Sequence, residues 1–455
     1  MNQDYKTFLL KKAPIAVMRG MDDVPTLSPH LFTFQKKCVE FGLRAGSSGC
    51  FLSTGLGKTA IELEWSEHAR NATNGMALIL APLSVGWQIA DEGKRWGYDA
   101  RVIRDQSDAK EGINVCNYDR LSLIEPSAFG CVALDESSIL KSFAGKTSRS
   151  LVAAFSEHRF RLSATATPAP NDHMELGTQS EFLGVMPSQE MLMRWFINDT
   201  AQASQQWRLK GHAQEDFWDW VASWARMAEM PSDLGCSDDG YILPKMNIIR
   251  HRAEPTSING ADLFGSVDVS ATGIHAVKRE TAAARAMSIA NIVASNNDAW
   301  VVWCDTDYEA DAIRSVLPDA KEVRGSHSPE QKEATLRAFA DGSLRVLITK
   351  PAICGFGLNW QHCYNTAFVG RSFSYESWFQ AVRRFWRFGQ KREVNVHLVV
   401  AEGEDSIARV IDRKAEDHIV MKRAMRAAMM RANDKSAGLK LHYNPTYKAR
   451  LPKWI

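Results

Sequence analysis

The sequence predicts an α/β protein built from two parallel-sheet lobes. Three observations lead there. Short apolar runs alternate with amphipathic helical patterns in the first third of the chain, and the same alternation returns late in the sequence. A glycine-rich turn, Gly55-Leu56-Gly57-Lys58-Thr59, follows the apolar run Cys50-Phe51-Leu52 and opens a helical pattern. An acidic pair, Asp135-Glu136, closes the later run Cys131 to Leu134.

The elements follow from periodicity. Ala77 to Leu80, Ile113 to Cys116 and Cys131 to Leu134 are short uninterrupted apolar runs, the mark of strands covered on both faces. Amphipathic segments such as Ala60 to Arg70, which precedes the first of these runs, have the helical period. Late in the chain, Ala299 to Cys304, Val346 to Thr349, Ala367 to Val369 and Val394 to Val400 read as strands. Pro329 to Ala340 and Tyr375 to Phe385 read as the helices between them. The middle, about Asp172 to Leu243, is helical in pattern and holds Trp195, Trp207, Trp218, Trp220 and Trp224. Phe217, Trp220, Val221 and Trp224 fall on one helical face and serve either a small core or a platform for stacking bases. The Pro- and Gly-bearing stretch Glu254 to Gly273 connects the lobes. The expected division is a first lobe over 1–172, a Trp-rich helical insertion over 173–243, a linker over 244–273, a second lobe over 274–430 and a basic tail over 431–455.

Composition narrows the class. A chain of 455 residues with 45% hydrophobic and 24% charged residues is an ordinary globular protein of about three units. That excludes disordered, collagenous and coiled-coil chains. No run approaches the roughly 18 apolar residues a membrane helix needs. Asp4 precedes and Lys11-Lys12 follow the first apolar patch, the wrong order for a secretion signal. The eight cysteines form no C-x-x-C pair, so neither a zinc site nor a disulfide frame is expected, and a reducing cytoplasm is. Met421 to Ile455 carries nine Lys/Arg against Asp434 alone, a local charge of +8, so the other 420 residues sum to −6 within the net +2. Such a segment meets a polyanion or forms a solvated helix face with a tail.

Four stretches carry chemistry. In the first, Gly55 and Gly57 let backbone amides approach phosphate at a helix N-terminus. Lys58 would reach the β and γ phosphates, and Thr59 would hold Mg²⁺. The complete phosphate-loop pattern has Gly where Leu52 stands. In the second, Asp135 would bind the metal, partly through water, and Glu136 would polarise the attacking water. The third is Ser163-Ala164-Thr165-Ala166-Thr167-Pro168. The fourth is Gln380 to Gln390, where Arg384 and Arg387 lie three apart and would share a helical face. They would clamp the γ-phosphate, or else face nucleic acid or solvent as a basic helix.

In this order the stretches resemble the motifs of superfamily two helicases, most closely the Swi/Snf-type branch of DNA-translocating ATPases. Phe34-Gln35 resembles the adenine-reading segment. Ala81-Pro82-Leu83-Ser84-Val85 and Asn117-Tyr118-Asp119 resemble elements that grip a nucleic-acid strand. Asp135 to Lys141 resembles the acidic box, and Thr165 to Asn171 the third motif. Gly355-Phe356-Gly357-Leu358-Asn359 resembles the fifth motif, and Gln380 to Gln390, ending Arg-Phe-Gly-Gln, the sixth. The resemblance implies two RecA-like lobes with ATP and Mg²⁺ in the cleft between them. It places nucleotide contacts on Gln35, Gly55, Gly57, Lys58, Thr59, Asp135 and Gly357, with Lys58, Glu136, Arg384 and Arg387 catalytic. It places nucleic-acid contacts on Pro82, Ser84, Asn117, Tyr118, Thr349, Lys350 and Asn359. The implied partner is DNA, duplex or branched, gripped through phosphates without regard to sequence. Two departures stand out: Ser137-Ser138 replace the usual Gly-His, and Arg383 stands where an acid commonly precedes the first Arg. The resemblance spans Phe32 to Arg413 with no space for a histone-reading module, which suits a bacteriophage or prophage protein in the host cytoplasm. An RNA helicase of the same superfamily, and a nucleotide-gated DNA clamp that does not translocate, are the alternatives.

Overall fold

The computed structural model describes residues 16–141, 145–169, 173–199, 206–253, 278–354, 359–370 and 375–401, together with 423, 424, 426, 427, 430 and 431. The strands of the first lobe are β1 Ser47–Leu52, β2 Met76–Ala81, β3 Ala100–Val102, β4 Gly112–Asn117, β5 Cys131–Asp135, β6 Phe160–Ala164, β7 Phe196–Asp199, β8 Gln206–Leu209 and β9 Ala225–Ala228. Seven of them form one sheet in the order β3-β4-β2-β5-β6-β1-β9, with every pair parallel. The second lobe has β10 Met246–Ala253, β11 Trp300–Trp303, β12 Lys321–Val323, β13 Val346–Thr349, β14 Asn365–Phe368 and β15 Val394–Ala401. These form a second parallel sheet in the order β10-β15-β14-β11-β13-β12. Two parallel-sheet lobes are therefore present, as the alternation of runs and helices predicts.

The inner strands of each sheet are buried on both faces, which is why they read as unbroken apolar runs. One face of the first sheet packs on the helices Thr33–Ala45 and Lys58–Asn71 through Leu43, Ile61, Leu63 and Trp65. That apolar cluster continues through Tyr241 into Trp303, Trp360 and Phe385 of the second lobe, so the lobes are packed together and not merely tethered. The opposite face of the first sheet receives the Trp-rich segment. Trp195, Trp218, Trp220 and Trp224 are all at most 4% exposed and pack with Phe51, Leu78 and Leu80. Of the two readings of those aromatics the core is the correct one, since rings so covered offer no face to a base.

Three local features differ from the sequence reading. The segment 173–243 has its helices, but it also forms the antiparallel hairpin β7–β8 and supplies β9 to the first sheet beside β1. Met246–Ala253, inside the expected linker, is instead the edge strand β10. An edge strand has a solvent side, so its polar-rich sequence lacks the apolar signature of its neighbours. The helix begun at Tyr375 ends at Val382, three residues before the expected end. There Arg384, Phe385 and Trp386 turn tightly back on Ala381 and Val382, as Phe385 drops into the core. Beyond Arg431, the basic tail lies outside the described residues.

Candidate nucleotide site between the lobes

The glycine turn expected to cradle phosphate leaves β1 at Leu52 and enters the helix Lys58–Asn71. Gly55 and Gly57 have φ of +97° and +74°, the left-handed region that favours glycine. Space forbids a side chain as well. A Cβ on Gly57 would lie 2.2 Å from Gln35 Nε2, and one on Gly55 would lie 2.9 Å from the Phe388 backbone nitrogen. One glycine thus accommodates Gln35 and the other the second lobe. Gln35 is buried; its Nε2 donates to the Leu56 carbonyl at 3.1 Å, and its Oε1 accepts from the Phe32 amide at 2.9 Å. Lys58 Nζ donates to the Leu52 carbonyl at 2.9 Å. Leu52 is fully buried, so the position that departs from the glycine pattern gives its side chain to the core and its carbonyl to Lys58. Burial pulls the Lys58 pKa down, and Glu136 and Asp135 oppose that pull.

Asp135 ends β5 and is pushed up to about 6 by burial and by Glu136, with Lys58 opposing. Glu136 has φ +54°, the only positive value on a non-glycine among the described residues. This strained turn sends its carboxylate towards the second lobe, where Gln380 Nε2 donates to Glu136 Oε1 at 3.1 Å and to Thr167 Oγ1 at 3.2 Å. Glu62, which the sequence reading missed, sits one helical turn beyond Lys58. It is fully buried, and neither carboxyl oxygen meets a hydrogen-bond donor among the described residues. Burial first, and then Asp135, hold its pKa well above the carboxylate range. The four-residue spacing from Lys58 was the available signal. These residues fit a magnesium nucleotide. The glycine turn opens at a helix N-terminus, and crowded carboxyls that resist ionisation are what a dication relieves. No protein-only cage of three or more ligands occurs among the described residues, and magnesium ordinarily takes one or two carboxylates plus phosphate oxygens.

Three arginines arrive from the second lobe, and they differ. Arg383 Nη2 donates to Ser53 Oγ at 3.0 Å and to the Thr54 carbonyl at 2.8 Å. Arg384 is buried, with Nε donating to the Gln380 carbonyl at 3.0 Å. Burial and then the Arg387 charge push Arg384 down to about 9, against the pull of Glu136 and Asp135. Arg387 is lowered by burial and favoured by Glu92. The shared helical face expected for Arg384 and Arg387 does not exist, because the helix ends at Val382. In the turn that follows, the two arginines stay close enough for their charges to interact, Arg384 also feeling the acidic pair and Arg387 feeling Glu92.

No family model matches the sequence. Protein p41 of Acyrthosiphon pisum secondary endosymbiont phage 1 is 24% identical over 460 residues, covering 88% of this chain and 98% of that protein. Among solved structures, S. cerevisiae Dbp5 bound to RNA and ADP BeF3 is similar with a TM-score of 0.56 and 10% identity, covering 87% of this chain and 93% of that chain. The chain shares with that structure a fold of two parallel-sheet α/β lobes. The Sulfolobus solfataricus SWI2/SNF2 ATPase core in complex with dsDNA has a TM-score of 0.41 and 16% identity, covering 94% of this chain and 97% of that chain.

Within this fold the residues expected to grip nucleic acid fall into two groups. Pro82 and Ser84 lie part-exposed in the turn before the helix Gly86–Arg95, Asn117 part-exposed at the end of β4, and Asn359 part-buried beside Trp360. Lys350 pairs with Asp307 at 2.9 Å. Tyr118 and Thr349 are corrections. Tyr118 is buried beneath the acidic pair with its hydroxyl donating to the Asp135 carbonyl at 2.7 Å. Thr349 is fully buried, its Oγ1 donating to the Val323 carbonyl at 3.2 Å. Both close strand-end turns from within and have no free surface for a strand. Gly357 lies outside the described residues. The Ser137 departure also has a place: Ser163 Oγ donates to Ser137 Oγ at 2.9 Å, and Gln179 Nε2 to the Ser137 carbonyl at 2.9 Å. This buried network ties the acidic turn to the strand that leads into Thr165.

Proposed function

We propose that the chain is an ATP-dependent motor that hydrolyses ATP with Mg²⁺ between its lobes and moves along DNA. One observation carries the reading. Gln380 and Arg383 of the second lobe hydrogen-bond to Glu136, Thr167 and the phosphate loop of the first. A catalytic centre assembled from both lobes works only when they close, and each closure moves one lobe's surface relative to the other. The bound metal would neutralise phosphate charge. Lys58 would follow the γ-phosphate, Glu136 would orient water, and Arg384 would meet charge as it develops. The preference for DNA rests on the sequence of the sixth motif and the run Thr165 to Asn171. Phosphate release measured without nucleic acid and with single strands, duplex DNA, forked DNA and structured RNA tests it. Stimulation by RNA alone overturns the DNA assignment, and failure to displace a triplex strand with ATP overturns the motor.

Two further results are expected. Glu136→Gln binds ATP normally and turns it over about 100-fold more slowly, because the amide keeps the shape and the Gln380 hydrogen bond but loses basicity. Nucleotide titration beside phosphate release checks this; a parallel fall in both makes Glu136 a metal ligand. Removing the chain from Lys435 onward takes away five of the nine basic residues of the C-terminal segment. DNA binding then weakens, and the slope of log affinity against log salt becomes shallower by roughly one unit for each phosphate no longer neutralised. An unchanged slope assigns that segment to the protein body.

A further inference from the structure

We infer that Arg383 is a positioning residue that latches the second lobe to the phosphate loop before nucleotide arrives, and so sets where Arg384 stands. The inference rests on the ATPase reading above. Arg383 is the first residue past the helix Tyr375–Val382, and its amide still bonds the Phe379 carbonyl at 2.9 Å, so its backbone is fixed by the helix. Its guanidinium lies 5.6 Å from the Phe379 ring centroid and 5.2 Å from that of Trp386, between two aromatic side chains of its own lobe. Held there at 7% exposure, it crosses to the first lobe and gives one nitrogen to two acceptors, Ser53 Oγ and the Thr54 carbonyl. Ser53 is itself pinned, since its amide donates to the Ala228 carbonyl at 2.8 Å. The latch therefore joins two rigid supports, a helix end on one side and β9 on the other.

The chemistry requires a cation at this position. A carboxylate facing the Thr54 carbonyl has no proton to donate and would repel both that oxygen and any phosphate held in the loop. The arginine reverses both effects, giving the two hydrogens of Nη2 to a hydroxyl and a carbonyl while its planar guanidinium stays between the two aromatic rings. Next to it, the Phe388 backbone packs against Gly55, so both ends of the turn 383–388 meet the loop. Arg384, the adjacent residue, is carried by the same turn to the neighbourhood of Asp135 and Glu136. With the latch formed, closure does not wait for nucleic acid, and the protein retains basal turnover that nucleic acid raises only moderately.

Four variants test this: Arg383→Ala, Arg383→Lys, Ser53→Ala, and Arg383→Ala with Ser53→Ala. For Arg383→Ala, turnover without nucleic acid should fall roughly tenfold, the equilibrium factor of one charge-assisted hydrogen bond. At saturating duplex DNA it should fall less than about twofold, because bound DNA supplies the closure. The KM for ATP should stay put in both conditions. Small-angle scattering of the nucleotide-free protein should show a larger radius of gyration for Arg383→Ala than for wild type, with Arg383→Lys between them. Ser53→Ala should add nothing to Arg383→Ala, since the two share one hydrogen bond. Equal falls with and without DNA would make Arg383 a catalytic finger, and an unchanged radius with additive single effects would remove the latch; either overturns the inference. If the wild type hydrolyses no ATP at all, the ATPase reading falls, and the scattering comparison still decides the latch.

Discussion

Lys58→Ala lowers ATP turnover by about a thousandfold, the upper end of the loss expected when one preorganised cation or donor is taken from developing phosphate charge. Lys58 stands at the first position of the helix Lys58–Asn71, its ammonium 2.9 Å from the Leu52 carbonyl and among the charges of Asp135, Glu136 and Glu62. No other lysine occurs in the loop or its helix, so nothing replaces it. The alanine leaves the glycine turn and the buried face of the helix intact. The Leu52 carbonyl loses one donor in a part-buried contact, a stability cost of about 1 kcal/mol. Melting temperature and phosphate release measured on the same preparation separate the two effects. Near-normal turnover in a folded variant refutes the phosphate-loop assignment, and a large drop in melting temperature makes Lys58 a structural residue.

What the sequence displays and what it hides have distinct physical causes. Buried parallel strands must be apolar on both faces, so Met76–Ala81, Cys131–Asp135 and Val346–Thr349 announce themselves as runs. The edge strand Met246–Ala253 has no such obligation and reads as part of a connection. The glycine turn and acidic pair are local in sequence, and their places at the ends of β1 and β5 were legible from their composition. The direction in which a side chain points is not local. Tyr118 and Thr349 lie in stretches that resemble strand-gripping elements, yet their side chains turn inward to close hydrogen bonds beneath the sheet ends. The helix end at Val382 was hidden for the same reason. Trp386 Nε1 donates to the Pro244 carbonyl at 2.6 Å, and Gln390 Nε2 reaches the carbonyls of Gln361, Cys363 and Phe385. Those tertiary bonds outweigh a periodicity that would carry the helix to Phe385. Glu62 was readable from its spacing to Lys58, but that its carboxyl meets no donor among the described residues is a property of the packed site alone.

Arg384→Lys should lower turnover at saturating DNA by about a thousandfold, at the low end for loss of an arginine finger. Two effects combine. Lysine offers no planar fork to developing phosphate charge. It also carries its charge less securely: burial and the neighbouring Arg387 already bring the guanidinium down to about 9, and the same surroundings push an amine, whose ordinary pKa is about 10.4, towards neutrality. Nucleotide binding should fall far less, because the interaction matters most in the transition state. Arg387→Lys should also slow turnover, but through its place beside Glu92 on the helix Gly86–Arg95, which starts right after Pro82 and Ser84. DNA binding without nucleotide should be nearly unchanged in both variants. If this turn were a basic strip on DNA, helped by Lys391 and Arg392, each substitution would weaken DNA binding and leave turnover at saturating DNA intact. Measuring the DNA dissociation constant and the saturated turnover on both variants decides between the two, and the second pattern would remove Arg384 from the catalytic centre.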